Sequence, residues 1–169
     1  WDCLDRVVGG AEARDLKVLL SVTTTPAWAR SSAEDLHPSH PNLVANFCRQ
    51  MVLRYRGRVH AVEIWNEPNL QMEWGPYMDP KEYSEMLEWT YWAIKYNAPE
   101  VMVISAALAP TQWSAWDVAV PDDVFLSDLV ANGGLEAADC IGVHYNHGTE
   151  SPLVAGGQFD RLIWGYGEI

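Results

Sequence analysis

The sequence is poor in positive charge, in cysteine and in long apolar runs, and each shortage removes a class of function. Lysine and arginine number 11 against 23 aspartates and glutamates, a formal net charge of −12. Such a surface repels nucleic acid and anionic membranes, so neutral partners suit it better. The three cysteines, Cys3, Cys48 and Cys140, lack the spacing of a metal site and read as core thiols. No stretch of about 18 apolar residues occurs, so no membrane-spanning helix is expected. No signal peptide is recognisable, and the chain is expected to be soluble, with its compartment left open. It begins at Trp1 inside a helix-like stretch, which reads as part of a longer protein. No glycine-rich phosphate loop follows a strand, and "VVGG" lies in a helical context, so a dinucleotide-dependent oxidoreductase is a poor candidate. No metal and no cofactor is implied.

What is present is apolar mass and aromatic rings. Hydrophobic residues make up 49% of 169, enough for one domain, residues 1–169, with a sizeable core. Nine tryptophans are unusual for this length. Trp28, Trp74, Trp113 and Trp116 follow strand-like runs, where a ring can pack in the core or stack on a ligand.

Four strand-like runs recur about every 40 residues: "KVLLSV" (17–22), "AVEIW" (61–65), "VMVISAAL" (101–108) and "CIGVHY" (140–145). Helical patterns separate them. Residues 42–56 place Val44, Phe47, Met51 and Tyr55 at helical spacing, with Gly57 as a stop. In residues 80–97, Asp79 reads as N-cap, Pro80 as first helical residue and Glu82 as the partner in a capping box. Tyr83, Leu87, Tyr91 and Ile94 form its apolar stripe. Residues 122–132 start acidic and stop at Gly133-Gly134. Alternating β and α at this period predicts parallel strands with crossover helices. Polar and aromatic residues gather after each strand, as at the C-terminal face of an α/β barrel.

The stretch "VEIWNEPNL" runs a buried-type strand straight into an amide, a carboxylate and a proline. Together with "VLLSVTTTPAWAR", "VISAALAPT" and "DCIGVHYN", in this order, it resembles the clan A glycoside hydrolases, most closely families 39 and 5. The resemblance covers residues 1–148. It implies a (β/α)8 TIM-type barrel, present here as about half: four parallel strands at barrel positions three to six. It implies Glu67 as general acid/base of a retaining β-glycosidase and Asn66 as the contact to the sugar 2-hydroxyl. It also implies His144 and Tyr145 as a pair lining the site, although the usual His-X-Tyr order here reads His144-Tyr145-Asn146. Trp28 and Trp113 are the expected sugar-stacking rings.

Retaining hydrolysis needs a second carboxyl about 5–5.5 Å from the first. Glu63 shares the parity of Glu67, but four residues of strand put it roughly 13 Å lower. In the clan the nucleophile ends the seventh strand, which has no counterpart here; Glu168, Glu73 and Asp79 are weak substitutes. Hydrolysis is therefore expected to be weak or absent. The alternative reading is a non-catalytic half-barrel that binds carbohydrate or self-assembles. Four open strands expose two edges and an apolar face, so a homodimer or other oligomer completing the barrel is the expected partner arrangement, with carbohydrate as ligand.

Overall fold

The structure is a computed structural model and describes residues 1–111 and 118–146. Leu19–Val22 (β1), Ala61–Ile64 (β2) and Met102–Ser105 (β3) form a parallel sheet in that order. Its register aligns Leu19 with Ala61 and Met102, and Val22 with Ile64 and Ser105. The helices are α1 (Asp2–Glu12), α2 (Asn42–Arg54), the single turn α3 (Gln71–Trp74), α4 (Pro80–Lys95) and α5 (Asp122–Ala131). Parallel neighbours need a crossover; α2 supplies it between β1 and β2, and α4 between β2 and β3.

The caps follow the sequence in part. The Asp79 carboxylate accepts the Lys81 N–H at 2.8 Å, and Pro80 opens α4 where its missing N–H costs nothing. The other half of the expected capping box does not form. The Glu82 carboxylate instead lies 3.7 Å from the His37 imidazole on the loop after β1.

Successive strand residues face opposite ways. Val62, Ile64, Val103 and Ser105 are buried under the helix layer. There they meet Cys48, Met51 and Val52 of α2, Tyr83, Leu87 and Ile94 of α4, and Phe125, Leu126 and Leu129 of α5. Each fully buried large side chain contributes about 1.5–3 kcal/mol. The alternate set lies open. Leu19 is 53% and Met102 46% exposed, with Ser21, Glu63 and Ile104 between them.

Two sequence expectations are corrected. The predicted fourth strand at 140–145 does not form a ladder: Cys140 and Val143 make only isolated parallel bridges, to Ile104 and Leu108. Asp139 N–H donates to the Val103 carbonyl and Ser105 N–H to that of Cys140. The next donor, Gly142 N–H, then turns to the Ser105 hydroxyl rather than to a backbone carbonyl. The second correction concerns the thiols. Cys48 is a core residue whose burial pushes its thiol up to about 12, whereas Cys3 and Cys140 are exposed. Among the described residues no helix is long and apolar enough to cross a membrane.

Candidate active site

The chain leaves β2 through a tightly specified turn. Leu70 N–H donates to the Glu67 carbonyl at 2.9 Å, so Glu67-Pro68-Asn69-Leu70 closes a β-turn with proline at its second position. This is why a strand of Val62 and Ile64 runs into proline: the residue that ends pairing also presets the turn. Two non-glycine residues here have positive φ, Trp65 at 77° and Glu67 at 43°. Trp65 is fully buried; its N–H donates to the Val22 carbonyl and its indole Nε1 to that of Glu73. Glu67 N–H donates to the Ala107 carbonyl at 3.0 Å, just beyond β3.

The Glu67 side chain is 16% exposed, and its Oε1 lies 2.7 Å from Nδ1 of His144, itself 32% exposed. A carboxyl and an imidazole nitrogen at this distance are in hydrogen-bond contact, an arrangement that can hold, donate or recover a proton. His144 follows Val143, which bridges Leu108, so the pair is assembled from the ends of two neighbouring segments.

The other expected site residues fall as follows. Asn66 is half-buried beside Glu67, and its side chain makes no hydrogen bond among the described residues. Tyr145 is half-buried next to His144. Trp28 sits in a 3-10 turn, Ala27–Ala29, after β1 and is 79% exposed. It edges a cavity of about 470 Å³ with Thr25, Leu43, Phe47 and Gln50, whose lining does not include Glu67. Trp113 lies outside the described residues, as does Glu168.

Three residues around the site make contacts that were not assigned from sequence. The fully buried amide of Asn69 bonds to both backbone groups of Ala109 and to the Val120 carbonyl. Tyr83 Oη donates to the Ile64 carbonyl at 2.9 Å and accepts the Ala106 N–H at 2.6 Å, tying the upper ends of β2 and β3. Burial pushes its phenol well above the usual range, so it keeps the proton it donates. Gly75 has φ 105°, and a Cβ there would stand 2.9 Å from the Glu34 carbonyl oxygen. That close approach docks the loop after β1, whose Leu36 and His37 N–H groups both donate to the Trp74 carbonyl.

Fold and site together define a parallel α/β protein with a carboxyl–imidazole pair beyond the C-terminal end of its sheet. Among solved structures, the chain is similar to a family 39 glycoside hydrolase from the gut symbiont Bacteroides cellulosilyticus. The TM-score is 0.66 and the identity 22%, over 90% of this chain and 30% of that one. The fold is thus glycoside hydrolase-like, and the chain spans about a third of that structure's length. No protein-family model matches the sequence, and no curated protein matches it.

Proposed function

We propose that this chain carries the acid/base portion of a retaining β-glycosidase site, within a (β/α)8 barrel of which it forms about half. The observation that carries the reading is the 2.7 Å contact of Glu67 with His144 at the sheet's C-terminal end. In this reading Glu67 protonates the leaving glycosidic oxygen and then, as carboxylate, takes a proton from the attacking water. His144 holds the carboxyl and sets the direction of its free oxygen. Asn66, whose amide makes no hydrogen bond among the described residues, contacts the sugar 2-hydroxyl, and Tyr145 and Trp28 line the sugar path.

The nucleophile is not Glu63, which lies on β2 roughly 13 Å below by strand rise. No hydrogen bond or ion pair joins Glu67 to a second carboxyl among the described residues. The second reading is a site that binds sugar without cleaving it. Turnover of aryl and alkyl β-glycosides by the wild type and Glu67→Gln tests both. Loss of about 100-fold or more with alkyl leaving groups, and a smaller loss with nitrophenyl ones, is the acid's signature. Sugar binding without turnover in either protein selects the second reading, and neither binding nor turnover overturns both.

A further inference from the structure

We infer that Asn69 is the positioning residue for Glu67: its buried amide fixes the two halves of the Glu67–His144 pair relative to each other. This rests on the reading of Glu67 as the acid/base and extends it to a residue that touches no substrate. Asn69 is 0% exposed. Its Nδ2 donates to the Ala109 carbonyl at 2.9 Å and to the Val120 carbonyl at 3.0 Å, and its Oδ1 accepts the Ala109 N–H at 2.9 Å. Its own carbonyl accepts the Val120 N–H at 2.9 Å. A shorter side chain leaves these groups unpaired in a place water does not reach.

What these bonds join matters more than their number. Asn69 is the third residue of the turn that begins at Glu67, so its clamp holds the carboxyl's own backbone. The segment it grips, 106–109, also carries Ala107, whose carbonyl accepts the Glu67 N–H, and Leu108, which bridges Val143. Val143 is the neighbour of His144. One amide therefore ties the Glu67 turn to the segment against which His144 is placed. Positive φ at a non-glycine residue is strained and persists only where the surroundings over-determine it. Glu67 and Trp65 both stand in that region, held by their own N–H bonds to Ala107 and Val22 and, beyond Pro68, by the Asn69 clamp.

Tyr83 makes the control. It also ties β2 to β3, through Ile64 and Ala106, but below the turn. The experiment follows the ring nitrogens of His144 by NMR in 15N-histidine protein, asking how far Glu67→Gln displaces them. In the wild-type background the displacement is large, because the partner 2.7 Å away changes from carboxyl to amide. In an Asn69→Ala background it should fall to under half, while in a Tyr83→Phe background it should persist despite a comparable loss of stability. Asn69→Asp is the second variant. As the neutral acid, the form favoured by burial against two carbonyl oxygens, it keeps the acceptor for Ala109 N–H and one donor in place of two, and should fall between.

Full displacement in Asn69→Ala, or in Asn69→Asp where the alanine variant does not fold, overturns the inference. Equal loss in Tyr83→Phe overturns it too, since the effect would then be general loosening. Turnover forms a separate arm: the Asn69 variants should lower kcat with KM little changed. Absence of turnover in the wild type counts against the glycosidase reading, and the resonance result stands apart from it.

Discussion

His144 Nδ1 meets Glu67 Oε1 at 2.7 Å across 77 residues of chain. Neither residue can reach the other through local structure, so the contact reports the packing of the β2 turn against the segment after β3. Replacing His144 with alanine removes the one side chain that, among the described residues, bonds the Glu67 carboxyl, and frees it to rotate. Turnover of alkyl β-glycosides should fall about 10- to 100-fold, less than the roughly 100- to 10,000-fold that the positioned proton donor itself contributes. Steady-state rates across several leaving groups check this: the loss should grow as the leaving group becomes more basic.

Tyr83→Phe should lower stability by about 1–3 kcal/mol, because one missing oxygen orphans both the Ile64 carbonyl and the Ala106 N–H in the core. Urea unfolding measures it, with a shifted midpoint and an unchanged slope as the expected result.

Gly75→Ala should cost more than about 1 kcal/mol, from positive φ and from collision with the Glu34 carbonyl. Gly57 has φ 75° but nothing within 4 Å of an added Cβ. Gly57→Ala should therefore cost less, and the difference between the two melting temperatures isolates the collision.

These contrasts mark what the sequence could carry. The 40-residue β–α period and the Asp79-Pro80 start of α4 were legible, because they rest on hydrophobic spacing and on side chains that act within a few residues. The Glu67 turn was half legible: Pro68 announced a stop. The role of Asn69 was hidden, since its partners lie 40 and 51 residues away. The ladder expected at 140–145 failed for a reason no propensity encodes, the diversion of one N–H to the Ser105 hydroxyl. The exposed Cys140 belongs to the same unpaired margin.

Acid should loosen that margin first. The Asp139 carboxylate accepts bonds from Lys95 Nζ and from Val103 N–H at the entrance to β3. Partial burial opposes ionisation, but these donors outweigh it and hold the group below the usual carboxylate range. A folded value below the unfolded one means the stabilisation is present above about pH 4 and is lost as pH falls through the folded value. Asp139→Asn should flatten the acid limb of the stability profile while lowering stability at neutral pH. Thermal melts between pH 7 and pH 2 read both effects, and an acid limb equal to the wild type's would exclude Asp139 as its source.

The open sheet face leads to the last expectation. Leu19 is 53% and Met102 46% exposed, so large apolar side chains meet water on the side of the sheet away from the helices. Covering such area contributes roughly 25 cal/mol per Å², less the ordering cost of association. Among the described residues, the outer edge of β1 pairs with no further strand, and the segment from Cys140 to Val143 makes only isolated bridges. The chain should therefore associate with itself in solution, two copies setting face against face. Glu63 works against this, because it places a carboxyl among those apolar neighbours that forms no ion pair among the described residues, and burying an unpaired charge is costly. Leu19→Lys and Met102→Lys should shift sedimentation toward the 19.0 kDa monomer. Glu63→Leu should shift it away. Val7→Lys, on α1 and 55% exposed, should leave it unchanged. A wild type that sediments as monomer at all concentrations, with no response to Glu63→Leu, would show that this face needs no second copy.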